Sequence, residues 1–182
     1  IEAALVKGIM TNEEAESLKA EIERTADVHE KVQEQTKKFY QDNFLLLTSM
    51  DKVYTCGLGA GYGVALEGAL KIGETVQIPS QPLESEEYLH GPSLQIDPRL
   101  TVFMIDTGLA RKRINDIYNA NKIGTFYNFL ITTNKEYEND PQALVVDTDI
   151  QPDLLPLCYL PFFQYIAHQV TEDTHRWPKH PA

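Results

Sequence analysis

The stretch that decides the fold runs from Val53 to Pro92 and reads VYTCGLGAGYGVALEGALKIGETVQIPSQPLESEEYLHGP. It begins with a β-prone run, Val53–Cys56, and continues into a turn that has glycine at positions 57, 59, 61 and 63. A helix is predicted to begin after this turn, so its first backbone N–H groups lack partners within the helix. We therefore expect a small polar or anionic ligand to bind there, beside Gly57 and Gly59.

The rest of the stretch carries charges on one face of a helix. Its pattern predicts three elements in order: a helix over Ala65–Gly73, a second strand over Thr75–Ile78, and a short acidic helix over Glu84–His90. Glu67, Lys71 and Glu74 follow each other at spacings of four and three residues, which places them on a common helix face. From spacing alone, an exposed ion pair on the helix surface is the simpler interpretation of these charges.

A nicotinamide dinucleotide site is disfavoured by two features of the same stretch. The dinucleotide fingerprint requires glycine where this chain has Tyr62. It also requires an acidic residue at the end of the second strand, and the predicted strand ends at Ile78. These residues alone indicate an α/β domain that has a possible anion site.

The order of motifs resembles the second sugar isomerase (SIS) domain of the glucosamine-6-phosphate synthase and fructosamine-6-phosphate deglycase group. The resemblance depends on ALEGALK at Ala65–Lys71, on Glu74, and on E-x-x-H-G-P at Glu87–Pro92. It covers about Asp51 to His175. The combination is far more specific than the glycine pattern.

The resemblance implies roles for four residues. Glu74 corresponds to the base that moves a proton between C1 and C2 of a sugar phosphate. His90 corresponds to the residue that assists ring opening, and in an assembled dimer it acts in a neighbouring subunit's site. Glu67 and Lys71 correspond to positions around the same sugar, and the implied partners are a phosphorylated sugar or amino sugar and a second SIS domain.

The implied chemistry suits these residue types. Aldose–ketose interconversion needs a base that is partly withdrawn from water, and a carboxylate can serve. Histidine can donate or accept a proton near neutral pH, and lysine can stabilise an enediol-like intermediate. The reaction needs no metal or redox cofactor.

Three functions remain open. Where the synthases carry an Ala-Glu pair, this chain has Ser80-Gln81, and its segment Gln81–Glu86 is more acidic than theirs. These differences favour a fructosamine-6-phosphate deglycase or a deaminase-like relative, acting on phosphorylated keto-amines or ketoses. The alternatives are the isomerase half of a glucosamine-6-phosphate synthase (a glutamine–fructose-6-phosphate aminotransferase) and a non-catalytic module that binds a sugar phosphate.

Charge and cysteine content limit the partners. The net charge of −11, from 16 basic and 27 acidic residues, argues against nucleic acid and anionic membranes. It also predicts that a phosphate is held elsewhere, since the family's Ser/Thr phosphate cradle lies mainly in the first SIS domain and has no counterpart in this sequence. Cys56 and Cys158 have no metal or redox spacing, so a cytoplasmic location is the simple interpretation.

The whole chain alternates strands and helices. Strands are predicted over Leu100–Ile105, Thr125–Thr132 and Leu144–Val146, and helices over Leu109–Asn121 and Asp153–Val170. Together with the central stretch, they predict a doubly wound, five-stranded parallel sheet, a flavodoxin-like three-layer sandwich. We expect linker helices over residues 1–45, the SIS domain over 46–173 and a tail over 174–182.

The two ends of the chain carry further predictions. Because the first residue is Ile1, we expect the sequence to be a fragment of a longer protein. Thr11 and Glu14 form a predicted capping box, followed by one amphipathic helix and then a second over about Asp27–Asn43, whose apolar stripe is expected to pack on the sheet. In the tail, Lys179 is the only lysine, and its surroundings match the family's C-terminal active-site lysine too poorly for that role to be transferred.

Overall fold

The computed structural model describes residues 1–176 and contains a five-stranded sheet whose strand order is β2-β1-β3-β4-β5. Every neighbouring pair of strands is parallel. The predicted doubly wound parallel sheet is therefore confirmed. The strands are β1 (Val53–Gly57), β2 (Ser80–Glu84), β3 (Thr101–Ile105), β4 (Asn128–Thr132) and β5 (Ala143–Val145).

Helices precede the sheet and connect its strands. They are α1 (Glu2–Val6), α2 (Asn12–Asp42), α3 (Phe44–Thr48), α4 (Ala60–Lys71), α5 (Ser85–Leu89), α6 (Arg111–Asn121) and α7 (Leu155–Asp173). A π-helical turn over Ile72–Val76 extends α4, and short 3-10 turns cover Pro92–Gln95 and Lys135–Tyr137. The predicted strands and the helices α6 and α7 lie within three residues of the observed ones, apart from β2.

The sheet separates two hydrophobic clusters, since neighbouring strand residues point to opposite faces. In β3, Phe103 packs in one cluster with residues of α2, α4 and α7. Its neighbour Met104 packs in the other cluster with residues of α5 and α6. Helices α4 and α5 therefore lie on opposite faces of the sheet, which decides where their charged residues can act.

Helix α2 begins as the sequence predicts. The Thr11 side chain accepts a hydrogen bond from the Glu14 backbone N–H, and the Glu14 carboxylate accepts one from the Thr11 backbone N–H. The two amphipathic stretches form a single 31-residue helix, because no glycine or proline interrupts the sequence between them. Its buried stripe reaches the sheet, where the Phe39 ring meets Phe129 of β4. The domain boundary at residue 45 stays a prediction.

The predicted second strand over Thr75–Ile78 is wrong. Thr75 and Val76 lie in the π-helical turn, where the Thr75 hydroxyl donates to the Lys71 carbonyl at 2.6 Å. The strand begins only at Ser80, after Gln77 adopts the left-handed conformation. Because β2 is an edge strand that contains Pro82, it lacks the apolar, β-branched pattern from which buried strands are recognised.

This correction removes one argument against a dinucleotide site. The true second strand ends in an acidic residue, Glu84. One oxygen of its carboxylate caps α5 by accepting hydrogen bonds from the N–H groups of Glu86 and Glu87. The argument from Tyr62 is unaffected by the position of β2.

Within residues 1–176, the structure contains no helix with the length and apolar character required to span a membrane.

Candidate functional site

A groove of about 600 Å³ runs between α4 and the edge strand β2. Its lining is Gly63, Leu66, Glu67, Ala69, Leu70, Gly73, Glu74, Ser80 and Pro82. Two of the predicted site residues, Glu67 and Glu74, thus lie in one cavity of the size that binds small molecules. The groove is the candidate site.

Lys71 joins the two carboxylates. Its Nζ lies 2.6 Å from the Glu74 Oε1 atom and 3.4 Å from the Glu67 Oε1 atom. The side chains of Lys71, Glu67 and Glu74 remain 29%, 32% and 45% exposed, so a ligand can reach them from solvent. The hydrogen bond that Lys71 donates to Glu74, together with the nearby carboxylates, raises the pKa of Lys71, which keeps its ammonium group charged at neutral pH.

The three charged side chains Glu67, Lys71 and Glu74 can support proton transfer at a carbon atom. A carboxylate in a groove can accept a proton from a carbon acid. An ammonium group held beside it can stabilise the negative charge that then develops on a neighbouring oxygen. Glu67 and Glu74 line the groove and Lys71 contacts both, so the three side chains together carry a charge of −1.

The π-helical turn positions Glu74. In this turn the backbone winds more widely than in the α-helix that precedes it, and such turns occur frequently at functional sites. Ile72 and Val76 are buried in the core beneath the turn, while Glu74 remains on the groove side. The fixed apolar residues therefore hold Glu74 at the rim, within reach of Lys71.

The glycine turn lies at the other end of α4. Gly59 precedes the helix and Glu74 follows it, so about 20 Å separates them along the helix axis. Both glycines have a packing reason to be there: a Cβ on Gly57 would lie 2.3 Å from the Gly61 carbonyl oxygen, and one on Gly59 would lie 2.5 Å from the Leu109 side chain. Contact of Gly57 and Gly59 with a substrate stays a prediction, and the structure does not bring them to Glu74.

His90 also lies apart from the groove. It follows α5, whose Tyr88 is buried in the cluster on the opposite face of the sheet from α4. Glu86 is a charged neighbour of His90, and its carboxylate accepts a hydrogen bond from Arg113 at 2.7 Å. The structure therefore joins Glu67, Lys71 and Glu74 but separates them from His90 within one chain.

Three features of the groove were not predicted from the sequence. The first is the apolar wall formed by Leu66 and Leu70, which was hidden because the true position of β2 was unknown. The second is the π-helical turn, which no residue pattern in this stretch indicates. The third feature is Ser80, whose hydroxyl is buried beside the groove and has no hydrogen-bond partner among residues 1–176.

Lys179 lies outside the described residues. Within residues 1–176, no group of three or more His, Cys, Asp or Glu side chains is arranged to hold a metal ion.

The chain is similar in sequence and in fold to known proteins whose names refer to sugar phosphates. No protein-family model matches the chain. The chain is 34% identical over 107 residues to glutamine–fructose-6-phosphate aminotransferase (isomerizing) from Bacteroides thetaiotaomicron, over 57% of this chain and 16% of that enzyme. It superposes on a candidate phosphosugar isomerase from Clostridium difficile 630 with a TM-score of 0.88 and 25% identity, over 97% of this chain and 50% of that one.

The fold is that of the sugar isomerase (SIS) family. A second solved structure supports this: the C-terminal domain of glucosamine-fructose-6-phosphate aminotransferase from Francisella tularensis superposes with a TM-score of 0.74 at 21% identity. That superposition covers 94% of this chain and 49% of the other. The chain thus spans about half the length of these solved proteins and 16% of the Bacteroides aminotransferase.

Proposed function

We propose that this chain is the acid–base half of an SIS enzyme that acts on phosphorylated keto-amines or ketoses, most specifically a fructosamine-6-phosphate deglycase. The observation that carries the proposal is the ion pair between Lys71 and Glu74 in the groove beside α4. Similarity to aminotransferases and to a candidate phosphosugar isomerase supports the coarser class, a sugar-phosphate module.

The reaction assigns one step to each charged group. In a fructosamine 6-phosphate, Glu74 takes a proton from C1, and the electron pair of the broken C–H bond forms a C1–C2 double bond. Lys71 stabilises the developing charge on the C2 oxygen. The C2 oxygen takes up a proton to give an enaminol. The nitrogen lone pair then forms the C1=N bond while the electron pair of the C1–C2 double bond takes a proton at C2, and loss of the N–H proton gives an imine at C1 and a hydroxyl group at C2. Water adds to the imine and releases the amine and an aldose 6-phosphate, so that atoms and charge balance.

His90 acts in the site of a neighbouring subunit and not in the site formed by its own Glu74. Because α4 and α5 lie on opposite faces of the sheet, His90 cannot assist the Glu74 of its own chain without crossing the sheet. Ring opening therefore uses a His90 supplied by a neighbouring subunit. The working unit is at least a dimer of the protein that contains this chain.

The phosphate is held outside this chain. Lys71, the cation beside the groove among residues 1–176, is already paired with two carboxylates, and the whole chain carries a net charge of −11. A second SIS domain, in the same protein or in its partner, supplies the hydroxyl and N–H groups that grip the phosphate.

A second candidate is the isomerase half of a glutamine–fructose-6-phosphate aminotransferase. The observation that favours it is the 34% identity to such an enzyme over 107 residues. In that case the same Glu74 and Lys71 act on fructose 6-phosphate after ammonia has added to its carbonyl group.

The deciding experiment uses the full-length protein and 6-phosphofructosyl amines. We expect release of hexose phosphate and free amine, and we expect Glu74→Gln to lower kcat by about 10²–10⁴-fold while substrate binding is kept. Glu34→Gln is the matched control, since Glu34 forms the same kind of helix pair with Lys37 on α2. Turnover by Glu74→Gln at the control's rate would remove Glu74 from its role. Turnover of fructose 6-phosphate with an ammonia donor, and of no keto-amine, would select the aminotransferase.

A further inference from the structure

The wall of the groove beside Glu74 is apolar. Leu66 and Leu70 line it from α4, and they are 46% and 53% exposed. Pro82 of β2 faces them from the other side, and Gly63 and Gly73 keep the space between helix and strand open. Single exposed leucines are common on protein surfaces, but two in the wall of one cavity form a continuous surface that an apolar ligand can cover.

The charges of the groove restrict what can fill it. The ammonium group of Lys71 contacts both Glu67 and Glu74 at the edge of the groove, and among residues 1–176 no cationic side chain lines the groove itself. A phosphate or a further carboxylate placed along the leucine wall would therefore lie close to two carboxylates without a free counter-ion. An uncharged, apolar group meets no such penalty.

The proposed chemistry fixes which part of the substrate lies at this wall. In a keto-amine, the amine is bonded to C1, the carbon from which Glu74 takes a proton. The substituent of the amine consequently begins beside Glu74. From that point the groove continues past Leu70 and Leu66 along α4.

We propose that this groove holds the amine portion of the keto-amine substrate and selects an aliphatic amine that carries no acidic group. The inference rests on the proposed function, because it assumes that Glu74 acts at C1. It assigns Leu66 and Leu70 as residues that determine specificity.

The experiment compares kcat/KM of the full-length protein for three substrates. These are the 6-phosphofructosyl derivatives of isobutylamine, methylamine and aspartate. We expect the isobutylamine derivative to exceed the methylamine derivative by about tenfold or more, since each apolar group that enters a fitted pocket contributes about 10-fold or more to discrimination. The aspartate derivative is expected to be the poorest of the three.

Substitution of the wall tests the same inference. Leu70→Ser and Leu66→Ser should each lower the ratio of the isobutylamine to the methylamine value several-fold. Leu157→Ser is the matched control: Leu157 lies on α7, outside the groove, and is 44% exposed. The control should keep the ratio of the unmodified protein.

The outcomes separate the inference from the function it rests on. Equal kcat/KM values for the three derivatives would overturn the inference and leave the deglycase function standing. Absence of hexose phosphate from every derivative would remove the deglycase function and the inference with it. If the leucine variants change the molar mass measured by light scattering while the substrate ratio is constant, a protein partner covers the wall and the inference is wrong.

Discussion

Lys71 connects the two carboxylates of the candidate site, so its removal should have a larger effect than the loss of an ordinary surface ion pair. We predict that Lys71→Met lowers kcat of the full-length protein by about 100-fold, because the charge that develops on the substrate oxygen loses its counter-ion. Steady-state kinetics with the best keto-amine substrate would measure this.

The matched control for this prediction is Lys37→Met. Lys37 pairs with Glu34 three residues away on α2, as Lys71 pairs with Glu74, but it lies outside the groove. The control should retain the activity of the unmodified protein. If both lysine variants keep that activity, the Lys71 pair is only a surface ion pair of small energetic value.

The common helix face of Glu67, Lys71 and Glu74 was easier to predict than its surroundings, and the roles of these residues stay predictions. The spacing of Glu67, Lys71 and Glu74 placed them on one helix face, and the structure joins them through Lys71. Spacing along one helix depends on local geometry, which a sequence shows directly. The separation of His90 from Glu74 depends on which face of the sheet each helix covers. Local sequence patterns do not predict that face.

At the scale of elements, helix α4 has little space around its middle. A Cβ on Gly68 would lie 2.7 Å from the Phe163 ring of α7, so α4 and α7 approach closely only because this residue has no side chain. We predict that Gly68→Ala lowers the free energy of unfolding by about 1–3 kcal/mol, as overpacked core positions do. Denaturant unfolding followed by circular dichroism would measure the change.

Gly63, five residues earlier in α4, provides the opposite case. A Cβ there would meet no atom within 4 Å. Gly63→Ala should therefore raise the free energy of unfolding by about 0.5–1 kcal/mol, because alanine loses less conformational freedom in a helix than glycine does. Equal destabilisation by both substitutions would contradict the close contact between α4 and α7.

Elements with strong local signals were predicted well. The capping box at Thr11 and Glu14 and the buried strands β1 and β3 follow directly from residue types and spacing. Strand β2 was misplaced because it is an edge strand of mostly polar residues, while the apolar positions Val76 and Ile78 before it imitate a strand. Helix α2 was predicted as two amphipathic stretches, and these form one helix because no glycine or proline separates them.

At the scale of the whole molecule, the chain resembles one half of several solved proteins. It covers 50% of the candidate phosphosugar isomerase and 49% of the Francisella domain. Within the chain, Glu74 follows α4 on one face of the sheet, and His90 follows α5 on the opposite face. Both facts are consistent with a site that is completed by another SIS domain or subunit.

This separation predicts complementation between two inactive variants. Glu74→Gln and His90→Asn should each be inactive alone, and a mixture refolded together should regain activity. With random pairing, half of the dimers are mixed and each mixed dimer has one intact site, so about a quarter of the original activity is expected. Product release by the mixture, compared with each variant treated in the same way, would measure it. A mixture as inactive as its components, although light scattering detects mixed dimers, would contradict a shared site.

The central claim is that Glu74 moves a proton between C1 and C2, and hydrogen exchange tests it most directly. The full-length protein would be incubated in D₂O with a 6-phosphofructosyl amine, and deuterium would be followed by NMR at C1 of the remaining substrate and C2 of the hexose phosphate. We predict deuterium at these carbons with the unmodified protein and none with Glu74→Gln, which still binds the substrate. Exchange at an unchanged rate in Glu74→Gln would contradict the claim.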